Sequence, residues 1–262
     1  MKAIINDLIA EQSLVDSVLD GLTEEQWKLP LDGCKPWLLQ DAVNHIAFFD
    51  YAAVRLMNHE FADLLDGLDA EAQQDEYYIP HAYRRFTGNE TLEWWRTERT
   101  KMDAKFMTMD PKERVPWAPG LPMSAKSLCT ARMMELWAHS VDIYDALGMD
   151  VVVTERIKNV LFLSWQSRPF AYSINGLSFD KETPMYLELP LPSGEVWAKG
   201  DPSSPNYIKG SAKDWALVSV RRRHWMDTDL MPSIFMPMGV TVEKVGRYPK
   251  NSMMLTPMAE FI

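Results

Sequence analysis

Apolar residues recur at intervals of three and four along most of the first 170 positions, which is the period of an amphipathic helix. In the segment 2–20, Ile4 and Ile5 are followed by Leu8 and Ile9 before Gly21 ends the pattern. The same period predicts further helices at 38–59, 89–108, 124–147 and 152–167, with a short acidic helix within 68–79. Residues 1–170 are therefore predicted to form a helical bundle.

Proline and glycine mark the connections between these helices. The segment 109–122 contains four prolines and Gly120, so it cannot be regular helix. Gly148 directly follows the helix predicted at 124–147, and glycine at that position is a common C-terminal signal. The longest helix of the bundle is thus expected to follow an irregular connection and to stop before Gly148.

The pattern changes after residue 170, where short alternating runs replace the helical period. The runs 185–189 and 195–199 flank a Pro/Gly turn and predict a β-hairpin. A further strand is predicted near 207–208, a helix from Ser211 onward, and one or two strands at 238–246. The fold class is therefore α+β, with an all-α domain at 1–170 and a small α+β domain at 171–262.

The charge of the chain restricts its partners. The 262 residues carry a formal net charge of -10 with a pI near 5.0, which argues against a nucleic-acid binder or a protein docked on an anionic membrane. No apolar run approaches the roughly 20 residues of a membrane span. We expect a soluble protein that acts on a small molecule, as a monomer or a homodimer.

Neither the N-terminus nor the cysteines indicate secretion. Asp7 and Glu11 interrupt the first apolar segment, which excludes a secretory signal. Cys34 and Cys129 stand far apart in no metal-binding or redox spacing. We interpret them as two reduced thiols of a cytoplasmic protein, with a single disulfide as the alternative.

A polar stripe runs along the helix predicted at 124–147. Arg132, Glu135, His139 and Asp142 fall on one face, in a segment that is otherwise apolar around nearly its whole circumference. Such a stripe is either a solvated face or the lining of a site inside the bundle. In the second case Glu135 and His139, four residues apart, can bind one metal ion.

A second stripe lies on the helix at 38–59. Trp37, Asp41 and His45 are each four residues apart, and a lone histidine of this kind is more often packed or exposed than a ligand. Combined with the first stripe, however, His45 would complete a set of two histidines and one carboxylate. Three protein ligands with an open fourth position are typical of a catalytic zinc site.

The remaining histidines and a basic run are weaker candidates. His59 and His81 are expected at the surface. His224 closes the basic run 221–223 at a predicted helix C-terminus, where cations interact favourably with the helix dipole. That run either pairs with nearby aspartates or forms a pocket for a carboxylate.

Two of these motifs resemble the DinB-like superfamily, in particular its mycothiol-dependent maleylpyruvate isomerase branch. The matching segments are WLLQDAVNHIA at 37–47 and RMMELWAHSVDI at 132–143. The segment GSAKDWALVSVRRRH at 210–224 is similar to a C-terminal domain of metal-binding relatives that often carries a wyosine-formation label.

The resemblance implies a four-helix bundle that holds a divalent metal, usually zinc, through His45, Glu135 and His139. It also implies a low-molecular-weight thiol that adds to a substrate double bond, with the metal lowering the pKa of the thiol. An arginine of the C-terminal domain would complete the pocket. We assign Arg222 to this role, although Arg221 and Arg223 are equally available by spacing.

The sequence therefore supports one main hypothesis and two alternatives. The main hypothesis is a zinc-dependent, thiol-assisted isomerase or transferase for a small anionic substrate. Asp41 or Asp142 would orient a ligand imidazole, and Arg222 would bind a carboxylate of substrate or thiol. The alternatives are a hydrolase or lyase that uses metal-bound water and a non-catalytic metal- or ligand-binding protein.

Overall fold

A computed structural model describes residues 1–60, 64–66, 68–118, 121–174 and 185–233. The chain divides into two compact units, Met1–Asp150 and Val151–Ile262. Within the described ranges no helix has both the length and the apolar character needed to cross a membrane. The strands predicted at 238–246 lie outside the described residues.

Four long helices form the first unit. They are α1 (Lys2–Leu19), α3 (Leu39–Met57), α5 (Gly88–Thr108) and α6 (Ala125–Leu147), joined by the short helices α2 (Glu24–Trp27) and α4 (Ala70–Gln74) and by 3-10 turns at Asp32–Cys34 and Glu76–Tyr83. Helix α3 packs on α5 and α6, and α1 packs on the same two helices. The predicted helical bundle is confirmed, and each long helix ends within about two residues of its expected position.

Capping residues and close packing explain where these helices begin and end. Thr87 forms a reciprocal capping box with Glu90 at the start of α5, and Gly148 ends α6 in the left-handed conformation. Gly88, the first residue of α5, lies against the indole of Trp27: a Cβ at this position would stand 2.1 Å from Trp27 Cδ1. Glycine therefore lets α5 begin directly on the buried Trp27.

The proline-rich connection before α6 is a β-hairpin rather than an irregular loop. Strand β1 (Arg114–Ala118) pairs antiparallel with β2 (Leu121–Ser124), and Pro116 stands opposite Pro122. A two-stranded ribbon tolerates proline because half of its backbone N–H groups point away from the partner strand. The sequence correctly excluded a helix here, but it did not predict the strand pairing, because several prolines usually argue against a strand.

In its described residues, 151–174 and 185–233, the second unit combines two helices with a four-stranded sheet. It contains α7 (Lys158–Ile174), β3 (Met185–Pro190), β4 (Val196–Gly200), β5 (Asn206–Lys209), α8 (Ala212–Ser219) and β6 (Met231–Pro232). The strand order is β4-β3-β5-β6. Strands β3 and β4 form the predicted antiparallel hairpin, whereas β3 and β5 run parallel. The α+β class is confirmed.

Helix α7 differs from its expected bounds and lies in the second unit. It begins later than predicted because the hydroxyl of Thr154 caps a 3-10 turn at Glu155–Ile157, and it continues through Pro169. The indole of Trp215 on α8 donates a 2.8 Å hydrogen bond to Ser164 on α7. The units divide after Asp150. The helical pattern of the sequence instead predicted the division near residue 170, with α7 as part of the bundle.

Candidate metal centre

The two polar stripes are buried inside the first unit. His45 on α3 is 7% exposed, Glu135 on α6 is 7% exposed, and His139 is completely buried. Helix α6 is buried on nearly all sides from Leu128 to Tyr144, because α1 and α3 both pack on it. The stripe is therefore not a solvated face.

The side chains of His45, Glu135 and His139 converge. One ligand atom from each lies within 4.8 Å of the other two. Glu135 Oε2 is 3.5 Å from His45 Nε2 and 3.8 Å from His139 Nε2. For comparison, two ligand atoms on a tetrahedral zinc ion are about 3.3 Å apart.

The chemistry of these groups fits a divalent cation. Among the described residues, Glu135 Oε2 has no hydrogen-bond partner although it is buried, which is costly for a carboxylate oxygen. Burial alone would raise the pKa of Glu135, but His45, assisted by Arg132 and His139, outweighs that effect and lowers it. An ionised buried carboxylate beside two imidazoles is a donor set that zinc and similar ions accept.

Aromatic rings enclose the centre. The ring of Trp37 lies 5.1 Å from that of His45 and 5.7 Å from that of His139, and Tyr77 stacks on Trp37 at 5.0 Å. Phe49, one turn after His45, lies 4.7 Å from its ring. These contacts hold both imidazoles in place and limit the access of water to them.

Comparison with known proteins agrees with this geometry. The sequence profile described as mycothiol maleylpyruvate isomerase N-terminal domain matches residues 9–144, which is more than half of the chain and includes His45, Glu135 and His139. The chain belongs to the mycothiol maleylpyruvate isomerase family. The resemblance inferred from the motifs at 37–47 and 132–143 is thus confirmed.

Relatives and solved structures extend the match beyond that N-terminal domain. Two Mycobacterium tuberculosis proteins, both named as uncharacterized, are 30% identical over 224 residues, which is 84% of this chain and 85% of theirs. A crystal structure titled mycothiol-dependent maleylpyruvate isomerase superposes with a TM-score of 0.59 at 15% identity, covering 88% of this chain and 92% of the other. A mutant of that isomerase gives 0.60 at 14% identity, covering 87% and 92%. At this identity the structures show a shared fold.

In this member of the family, Asp142 contacts His139 through Nδ1, the ring nitrogen other than the Nε2 that lies near Glu135. Asp142 Oδ2 lies 3.0 Å from Nδ1 of His139, one turn back on α6. A carboxylate that accepts from Nδ1–H leaves the Nε2 lone pair available on the other edge of the ring. Cys34 Sγ lies 3.2 Å from the same Asp142 oxygen.

Asp41, unlike Asp142, contacts the start of α3 and an arginine. Its carboxylate accepts a 2.7 Å hydrogen bond from the backbone N–H of Leu38, which starts α3, and a 2.8 Å hydrogen bond from Arg84. The sequence left the orientation of a ligand imidazole open between Asp41 and Asp142. The geometry favours Asp142, because its contact with His139 is direct.

A buried ion pair next to the centre was missed by the sequence reasoning. Arg132, on the same stripe as the ligands, donates to Asp50 Oδ1 at 3.0 Å and to the carbonyl of Ile46 at 3.2 Å. The indole of Trp95 on α5 donates to Asp50 Oδ2 at 3.1 Å. The available signal was Asp50 itself, a charged residue between the aromatic residues Phe49 and Tyr51 of α3.

The basic run lies in the second unit, just after α8. Arg222 is 2% exposed, and its guanidinium donates to the carbonyl of Val220 at 2.8 Å. Arg223 donates to the carbonyl of Arg222, and Arg221 has a positive φ of 60°. The structure of this unit singles out Arg222 as the buried member of the run. Its proposed role toward a carboxylate stays a prediction.

The other histidines and the cysteines have structural positions. His59 is exposed just after α3, His81 is half-buried in a 3-10 turn, and His224 accepts from the backbone N–H of Met226. Cys34 and Cys129 are buried and are not joined in a disulfide. The interpretation of the cysteines as two thiols is confirmed.

Proposed function

We propose that this family member is a metal-dependent enzyme that acts on a small anionic substrate with the help of a low-molecular-weight thiol. It would either isomerise the substrate or transfer the thiol to it. His45, Glu135 and His139 would hold one divalent ion, most simply zinc. The observation that carries the proposal is the convergence of these three buried groups from two helices, with a carboxylate oxygen to which none of the described residues donates a hydrogen bond.

The bound ion would supply positive charge that favours the thiolate and polarises a substrate oxygen. The chain itself supplies orientation and a dry environment. Asp142 holds the Nδ1 edge of His139, while Trp37 covers both imidazole rings and Tyr77 stacks on Trp37. Three protein ligands leave room for one exogenous group, which is typical of catalytic rather than structural zinc sites.

The thiol and the substrate class rest on family membership. The solved structures that share this fold carry the name mycothiol-dependent maleylpyruvate isomerase, which supports mycothiol as the thiol and a cis-unsaturated carboxylate as the substrate. Arg222 is proposed to bind the carboxylate of the substrate or of the thiol, because a guanidinium matches a carboxylate bidentately.

The first test is metal content, measured by elemental mass spectrometry after growth with metal supplied and purification without chelators. We expect near-stoichiometric metal in the wild type and in His59→Ala, an exposed histidine that serves as the matched control. His139→Ala and Glu135→Gln should lose it. A metal-free wild type would contradict the proposal.

The second test is turnover of maleylpyruvate by the metal-loaded protein, with and without mycothiol. Formation of the trans isomer, or of a thiol adduct, that stops when mycothiol is omitted supports the proposal. Turnover that does not need a thiol would contradict the thiol mechanism and favour a hydrolase or lyase. Arg222→Lys should raise KM more than it lowers kcat, since the charge remains while the bidentate contact is lost.

A further inference from the structure

A cysteine lies behind the metal centre, in contact with the carboxylate that faces His139. Cys34 is 1% exposed and belongs to the 3-10 turn Asp32–Cys34, which packs on α6. Its Sγ is 3.2 Å from Asp142 Oδ2, and the same oxygen is 3.0 Å from Nδ1 of His139. Cys34, Asp142 and His139 therefore form a continuous chain of contacts that ends at the centre.

We propose that Cys34 is a positioning residue of the metal centre: its S–H donates to Asp142 Oδ2 and holds that carboxylate where it accepts from Nδ1–H of His139. The role rests on the proposed function, because the orientation of His139 matters through the ion it would bind. A thiol is a weak donor, but a hydrogen bond to an ionised acceptor is stronger than a neutral one.

The turn that carries Cys34 is built closely against Asp142. A Cβ on Gly33 would stand 3.1 Å from Asp142 Oδ1, so Gly33 and Cys34 approach both oxygens of the carboxylate. The carbonyl of Cys34 accepts from the backbone N–H of Trp37 at 2.8 Å and from the hydroxyl of Tyr77 at 2.9 Å. The turn is thereby tied to the aromatic rings that cover the centre.

Two substitutions separate positioning from simple filling of space. Cys34→Ser keeps a donor, whereas Cys34→Ala removes it and leaves a small void. If Cys34 only fills space, serine should be no better than alanine, because a buried hydroxyl is more costly than a methyl group. Cys129→Ala is the matched control, since Cys129 is also fully buried but lies on α6 more than three turns before Asp142.

The first measurement uses the metal-free protein and long-range proton–nitrogen NMR of the histidine rings, at a pH where they are neutral. We expect His139 in the wild type, Cys34→Ser and Cys129→Ala to hold its proton on Nδ1. Cys34→Ala should show a mixture of tautomers or a shifted Nδ1 resonance. An unchanged His139 spectrum in Cys34→Ala would overturn the proposal, even if the wild type proved unable to bind metal and the proposed function had failed.

The second measurement is zinc affinity by competition with a chromophoric chelator. We expect Cys34→Ala to bind zinc about tenfold more weakly than the wild type, which is at the lower end of the losses seen when residues that contact metal ligands are replaced. The affinity of Cys34→Ser should lie within about twofold of the wild-type value. Equal affinities of wild type and Cys34→Ala, or equal losses in the alanine and serine variants, would overturn it. Cys34→Val, which lacks a donor but fills the space, decides the matter if Cys34→Ala does not fold.

Discussion

Arg132 on α6 and Asp50 on α3 form a buried ion pair in which a guanidinium nitrogen donates to a carboxylate oxygen over 3.0 Å, with both residues 2% exposed. Arg132 precedes Glu135 by one turn, and Asp50 follows His45 by slightly more than one turn. The pair thus joins the two helices that supply the candidate ligands. Because a buried charge tolerates only a narrow range of positions, we expect the pair to restrict how α3 and α6 align.

Breaking this pair should be strongly destabilising. We expect Asp50→Asn or Arg132→Met alone to lower the free energy of unfolding by about 3–5 kcal/mol, because each leaves an uncompensated or unsatisfied buried group. The double variant Arg132→Met, Asp50→Leu should recover much of the loss, since both charges are removed. Urea denaturation measures these differences, and a single variant within experimental error of the wild type would contradict the role assigned to the pair.

Asp142→Asn should weaken metal binding without unfolding the bundle. The amide cannot provide the charge that favours Nδ1–H on His139, and outer-shell carboxylates of this kind contribute roughly 10–100-fold to metal affinity. Asp145→Asn, an exposed carboxylate on the same helix, is the control and should bind as the wild type does. Isothermal titration of zinc into both variants tests this expectation, and equal affinities would count against the orientation of His139 by Asp142.

Asp103 on α5 should make the stability of the protein depend on pH near neutrality. Burial raises the pKa of Asp103 to about 7, despite the 3.1 Å hydrogen bond that it accepts from Gln12. Between the ordinary pKa of an aspartate, about 4, and this value, the folded state holds a proton that the unfolded state has lost. The free energy of unfolding should therefore fall as the pH rises through this window.

Asp103→Asn removes that titration. Urea denaturation at about pH 5 and about pH 8 should show a smaller decrease in the variant than in the wild type, and a higher stability of the variant at the upper pH. Asp110→Asn, an exposed carboxylate just beyond α5, should leave the decrease unchanged. If Asp103→Asn retains the full decrease, another group is responsible for it.

Gly88→Ala should destabilise the bundle although alanine is the better helix former. Alanine gains up to about 1 kcal/mol over glycine inside a helix, but its Cβ would overlap the buried indole of Trp27, with the nearest atom at 2.1 Å. Overpacking of this kind costs about 1–3 kcal/mol, so we expect a lower Tm. Asn89→Ala, at the next and exposed position, is the control and should not lower the Tm in this way. A Tm of Gly88→Ala at or above the wild-type value would show that Trp27 can move aside.

The local pattern of the sequence determined the helices, the hairpin of β3 and β4, and the composition of the centre. Helical period, capping residues and Gly148 depend only on neighbours along the chain, so they can be read without knowledge of the packing. His45, Glu135 and His139 were identifiable for a similar reason: two of them share one helical face, and the motifs around all three resemble a known family.

Tertiary structure decided which groups touch. Asp41 and Asp142 have similar sequence contexts, yet Asp41 pairs with Arg84 while Asp142 contacts His139. Asp50 and Cys34 find their partners 82 and 108 residues away. Likewise, α7 belongs to the second unit through its contact with α8 rather than through its own period. A helical pattern states which face is buried, but the partner of a buried polar group depends on how separate helices pack, and no local interval in the sequence encodes that.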